Sequence, residues 1–169
     1  MVSKGMEFPN LPYVIDGDFM LSESKAVNVY ICDRWAPALM GSTPIERASI
    51  IMIQNVLNDK WCTIVPAIFG TGDKNDLIEK LTSALPPLVE YLGSKPFLHG
   101  DSVRLTDFIL FEIFESANAV VEDDRHRTAH PTLAAHHARM LTLPTFSAYF
   151  NSDKALKAPF FPQRGKILM

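Results

Sequence analysis

Seven consecutive residues, Phe108-Ile109-Leu110-Phe111-Glu112-Ile113-Phe114, set one charge among six large apolar side chains. Wound as a helix, the stretch is apolar on nearly every side, and a helix of that kind belongs at the centre of a bundle. It is the candidate core, and the rest of the chain has to cover it. At 169 residues, 47% of them hydrophobic, the chain holds enough apolar material to do so. A chain of this size buries roughly 70% of its unfolded surface. Disorder, collagen-like order and coiled coil are excluded by the same composition. Neither this run nor Ile50 to Ile53 is long enough to span a bilayer, so direct membrane insertion is not expected. Sixteen basic residues against nineteen acidic ones give a net charge of -3 with no basic stripe, and nucleic acid is not an expected partner.

Around this core the pattern is mostly helical. Thr43, Pro44 and Glu46 form a start signal in which Thr43 caps the helix, Pro44 opens it and Glu46 reaches back. The helix is predicted from Pro44 to about Asp59. A second is predicted from Asp73 to Leu92, with Leu77, Leu81, Leu85 and Leu88 on one face and a kink at Pro86-Pro87. Thr132 to Leu141 and Leu143 to Phe150 supply two more, separated at Pro144. The tail Ala158-Pro159-Phe160-Phe161-Pro162 is expected to pack back on the body, since two exposed rings are unfavourable in water.

The first forty residues differ in kind. Tyr13 to Leu21 reads as two short strands joined at Asp16-Gly17, a strong hairpin signal. From Ser24 to Arg34, Ala26, Val27, Tyr30 and Ile31 recur at helical spacing and are expected to face the hairpin. Pro37 stops that helix.

Phe8-Pro9-Asn10-Leu11-Pro12-Tyr13-Val14-Ile15-Asp16-Gly17, then Ser22 to Val27 and Tyr30-Ile31, resembles the second half of the thioredoxin-like domain of cytosolic glutathione S-transferases, the mu class above all. The resemblance continues through Lys95 to Asp101, Asp107-Phe108 and Phe146 to Tyr149. It implies a mostly α fold: a partial thioredoxin-like β-hairpin plus helix at 1–36, followed by an all-helical C-terminal bundle at 43–169. It also implies a glutathione site. Leu11-Pro12 would be cis and present the Leu11 backbone to the cysteinyl unit, Asn10 would precede it, and Glu23 and Ser24 would hold the γ-glutamyl end at a helix start. Weighed without the resemblance, Asn10 to Pro12 can equally be a turn that shapes the hairpin, and Glu23-Ser24 a plain helix cap.

Other family features are missing from the pattern. The family's opening strand-helix-strand carries the tyrosine that stabilises the glutathione thiolate, and the match here starts almost at Met1. No catalytic residue is therefore assigned, because Tyr13, Tyr30, Tyr91 and Tyr149 match positions with other tasks. Phe69 stands near the position of a second mu-class tyrosine. Arg104 replaces the Ser or Thr cap three residues before Asp107, the acid at the core-helix start, leaving Thr106 as the alternative cap. The strand Tyr13-Val14-Ile15 would present an unpaired edge, to be covered by the chain's own missing half, a second copy in a homodimer, or a foreign protein partner. Phe8 matches the aromatic side chain that mu-class subunits insert into their partner, with core packing as the plainer reading.

Three functions remain open. The favoured one is a non-catalytic structural or interaction subunit; the second is a glutathione S-transferase acting on small electrophiles, whose opening segment is missing from the sequence; the third is a module that binds glutathione as a ligand without turnover. No cofactor is expected. His126, His130, His136 and His137, interleaved with Arg125 and Arg127, are expected in a solvated loop and not as metal ligands. Cys32 and Cys62 are read as buried, reduced residues, and with no secretory or organelle address the expected place is intracellular and soluble, in the cytoplasm.

Overall fold

The computed structural model describes residues 5–68, 75, 79–80, 83–121 and 125–155. It is mostly helical, with one two-stranded sheet. Strand β1 (Tyr13–Asp16) pairs antiparallel with β2 (Phe19–Ser22), Tyr13 opposite Ser22 and Asp16 opposite Phe19. The loop is therefore Gly17-Asp18, and Gly17 takes φ +61°, the left-handed geometry that a two-residue hairpin loop asks for.

Helix α1 (Ser24–Trp35) lies on this hairpin. Its buried residues are Val27 and Cys32, while Ala26 and Ile31, expected on the same face, are exposed. The helix is turned by a polar anchor that periodicity does not reveal. The Tyr30 hydroxyl donates to Asp16 Oδ2 at 2.7 Å, and Phe19 packs against the Tyr30 ring at 4.8 Å. That hydrogen bond, assisted by Arg34, holds the Asp16 carboxyl below its ordinary range.

Ala36-Pro37 ends α1 as expected, and a 3-10 turn at Pro37–Met40 leads to α2 (Pro44–Ile68). The start of α2 follows the predicted reciprocal cap. Thr43 Oγ1 accepts the Glu46 amide at 3.2 Å, and Glu46 Oε2 accepts the amides of Thr43 at 3.1 Å and Ser42 at 2.6 Å. Gly41, at φ +78°, admits this arrangement: a Cβ there would stand 2.6 Å from Glu46 Cβ. The helix runs past Asp59 to Ile68. Pro66 lies inside it, but so close to the end that only one turn loses a backbone bond. Arg47 on α2 forks onto Asp33 of α1 at 2.7 and 2.6 Å, joining the two parts of the chain.

Of the helix expected over Asp73 to Leu92, Leu77 and Leu81 lie outside the described residues. Pro86-Pro87 does not kink it; it opens a separate helix α3 (Pro86–Leu92) with Leu85, Leu88 and Leu92 buried. The core helix α4 (Leu105–Val121) buries Leu110, Phe111, Ile113, Phe114 and Ala117 against α2 and the later helices. Those are α5 (Arg125–Ala129), α6 (Pro131–Met140) and α7 (Pro144–Phe150). The tail over 158–162 and Phe69 lie outside the described residues. Among the described residues no helix is long and apolar enough to cross a membrane.

Asp107 keeps more of its cap than the sequence suggests. Its Oδ2 accepts the Arg104 amide at 2.8 Å; its Oδ1 accepts the Leu98 amide at 2.8 Å and His136 Nε2 at 2.9 Å. Thr106 takes no part, for its buried hydroxyl has no hydrogen-bond partner. The histidines are not in a solvated loop. All four are buried, His137 stacks on Phe111 at 4.4 Å and bonds Glu115 at 2.7 Å, and His126 packs on Phe114 at 4.6 Å. An imidazole is an apolar-faced ring as well as a base: His126 and His137 pack on the phenylalanines of α4, His136 meets Phe97 and His130 meets His126. Cys32 is buried as expected, whereas Cys62 is exposed.

Two outcomes follow from this packing. Replacing Asp107→Ala should cost about 3 kcal/mol, since two amides and an imidazole lose a buried charged acceptor, and urea unfolding measures it. Burial, with help from His130 and Arg127, lowers the His126 pKa from 6.5 to about 4. The unfolded chain thus binds this proton first: stability should be full above about pH 6.5 and fall as the pH drops towards 4. His126→Phe should flatten that part of a thermal-midpoint profile measured between pH 7 and 4.

Candidate functional site

The residues around Asn10 and those around Glu23 are brought together by the hairpin. The peptide between Leu11 and Pro12 is cis, and Leu11 is 78% exposed. Asn10 stands at the base of this turn. Its Oδ1 accepts the Leu11 amide at 2.9 Å, and its Nδ2 donates to Glu23 Oε1 at 2.9 Å. Ser22, buried next to Glu23, donates its hydroxyl to the Phe8 carbonyl and ties the approaching chain to β2.

Glu23 has φ +72°, the one described non-glycine residue with a positive φ. A glutamate pays strain of order 1–3 kcal/mol to sit there. The backbone turns sharply into α1, and no side chain caps that helix start. The first amides of a helix lack intrahelical acceptors, and in a helix of 12 residues they present partial positive charge to an anion. Ser24 adds a hydroxyl at the same point.

Pro12 and Ser24 border one cleft of about 250 Å³, closed on its far side by α2 and α4. Asn28 of α1, Gln54, Asn58 and Trp61 of α2, and Ile109, Glu112 and Ile113 of α4 complete it. Sequence reading missed all of these. The signal was present: Gln54, Asn58 and Trp61 follow a spacing of four and three, which puts two amides and an indole on one stripe of the helix. Gln54 Nε2 is buried without a hydrogen-bond partner. Glu112 opens onto the cleft, yet its neighbours desolvate the carboxyl and raise its pKa. The lining thus combines side-chain amides and a hydroxyl with an indole, aliphatic surface and the Glu112 carboxyl.

The residues expected at a subunit contact face outward. Phe8 is 74% exposed, Tyr13 and Ile15 are exposed and Val14 is half-buried, so the plainer reading of Phe8 as core does not hold. Among the described residues β1 pairs with β2 alone. Of the four tyrosines, none lines the cleft: Tyr30 is bound to Asp16, and Tyr91 lies under Lys95 with Nζ 4.1 Å from its ring. Among the described residues there is no group of three or more side chains suited to a metal ion.

Residues 63–153 match the family described as glutathione S-transferase, C-terminal domain. Glutathione S-transferase Mu 1 of Oryctolagus cuniculus is 30% identical over 160 residues, covering 93% of this chain and 72% of the relative. The class-mu 26 kDa isozyme of Schistosoma mansoni is 32% identical over 158 residues, covering 92% and 71%. Among solved structures, the glutathione S-transferase Blo t 8 superposes with a TM-score of 0.76 at 22% identity, covering 90% of this chain and 73% of that one. If Gln54 lacks a partner because it faces a ligand, Gln54→Leu should leave the urea midpoint unchanged or raise it, while the Gln54 side-chain amide resonance of the parent shifts on adding a bound γ-glutamyl peptide.

Proposed function

The chain belongs to the glutathione S-transferase family, and from that premise we propose that it binds glutathione at the start of α1 and conjugates it to small electrophiles. The observation that carries this reading is the meeting of the cis Leu11-Pro12 turn and the uncapped α1 start, at Ser24, on one cleft. The amides at Ser24 and its hydroxyl suit the γ-glutamyl carboxylate, and Glu23 suits the ammonium beside it. Strand-like pairing of Leu11 with the cysteinyl unit requires the Leu11 amide to exchange its bond to Asn10 Oδ1 for one to the ligand. The sulfur would then lie towards the cleft, where Trp61, Ile109 and Ile113 offer an apolar wall for the electrophile.

In the reaction the thiolate forms a carbon–sulfur bond, the electrophile's leaving group departs with the bonding pair, and the thiol proton goes to solvent. A free thiol has a pKa of about 8.5, so fast turnover at neutral pH requires a donor that favours the thiolate. No tyrosine among the described residues is placed to do this at the cleft. The enzyme reading is nevertheless preferred over a non-catalytic subunit, because relatives that match more than nine-tenths of this chain are named as transferases. We take 1–36 and 43–169 as two units with the site between them. A second copy of the chain is the partner we assign to Phe8 and the β1 edge.

Calorimetric titration of glutathione into the protein tests the reading, with chlorodinitrobenzene as the electrophile in a parallel rate assay. Binding is expected, Ser24→Ala should weaken it about tenfold, and conjugation should outrun the spontaneous rate. No glutathione binding sinks the proposal; binding without turnover restores the interaction-subunit reading.

A further inference from the structure

The cleft carries an acid and no base. Its lining holds Glu112 but no lysine, arginine or histidine. Glu112 stands in α4 next to Ile113 and one turn after Ile109, both of which border the same cleft. It makes no hydrogen bond or ion pair among the described residues. The side chain reaches solvent, yet burial around the carboxyl raises its pKa, and no cation stands near enough to bring it down again.

What fills the cleft therefore decides the surroundings of this carboxyl. An uncharged body takes away its remaining water and returns nothing, and an anionic body adds repulsion. A cation returns the lost solvation as an ion pair. Trp61 favours the same ligand. It is half-buried on α2, no described lysine or arginine lies over its ring, and an indole is the best of the aromatic faces for a positive charge. Glutathione increases the demand, because its γ-glutamyl carboxylate at Ser24 and its ionised sulfur bring further negative charge to this lining.

We propose that Glu112 sets the substrate class of the cleft, selecting electrophiles that carry a protonated amine or a quaternary ammonium on an aromatic body over neutral ones of the same shape. The proposal rests on the reading that glutathione binds at the start of α1. The reacting carbon meets the sulfur, the ring lies against Trp61, Ile109 and Ile113, and the positive group lies at Glu112. The charge takes no part in the bond changes; it places the electrophile and offsets the negative charge around the sulfur.

Two S-benzyl conjugates of glutathione test this, one with a para trimethylammonium group and one with a para tert-butyl group, which match in shape and differ in charge. Titrated by calorimetry beside glutathione itself, the cationic conjugate should bind about tenfold more tightly than the neutral one. Glu112→Gln should bring the two within about twofold, Glu112→Asp should keep part of the preference, and Trp61→Leu should reduce it. Glutamine keeps the shape of the side chain and removes a desolvated charge, so the urea midpoint of Glu112→Gln should not fall. Asp153 is exposed and outside the lining, so Asp153→Asn should leave the preference intact and separates Glu112 from the net negative charge of the chain. Glutathione binding without a preference between the conjugates overturns the proposal and leaves the glutathione reading standing, as does a preference that survives Glu112→Gln or is lost with Asp153→Asn. No binding of glutathione or of either conjugate sinks both.

Discussion

The buried carboxylate of Asp107 is the point on which the helical part depends. It is wholly buried, and three donors from three parts of the chain converge on it: the Leu98 amide from the α3–α4 segment, the Arg104 amide at the start of α4, and His136 of α6. A lone buried charge would be costly, and here each oxygen is satisfied. The direction of α4 is fixed relative to the segment before it and the helix that packs on it. Because α4 carries Leu110, Ile113 and Phe114, its direction decides where the core lies.

The hairpin and α1 are attached to the bundle by an apolar cluster of Cys32, Met40, Ile50 and Leu105 and by polar links around it, and this determines what the cleft can be. Arg47 forks onto Asp33, Lys25 donates to Asn55 at 2.7 Å, and Arg104 reaches the Ala38 carbonyl. These bonds leave the start of α1 beside the flanks of α2 and α4 without filling the gap. The site is therefore made of two kinds of surface. The hairpin side offers backbone, a hydroxyl and a helix start; the bundle side offers amides, an indole and aliphatic side chains.

What could be read from the sequence was local. The Thr43-Glu46 cap and the stop at Pro37 depend on residues within four positions of each other, and each is where the spacing put it; the hairpin is there too, with its loop one residue later than Asp16-Gly17, at Gly17-Asp18. The pairing of Asn10 with Glu23 was also within reach, since they lie either side of a hairpin whose register the turn fixes. The histidines were not. Their alternation with arginines looks like solvated surface, and only the partners across the chain, Phe111, Phe114, Asp107 and Glu115, make them interior. Gln54, Asn58 and Trp61 were missed because a polar stripe on a long helix acquires meaning only from the unit that α1 brings against it. The end of α2, expected near Asp59, lies at Ile68; Pro66 near that terminus removes one bond, not the helix.

The exposed backbone along β1 has a thermodynamic consequence. Any strand that zips onto Tyr13 to Asp16 binds the folded hairpin and not the unfolded chain, so occupancy there adds to the hairpin's stability by mass action. If that strand belongs to another molecule, dilution becomes a denaturant for the hairpin and, through the apolar cluster of Cys32, Ile50 and Leu105, is felt by the helices packed on it.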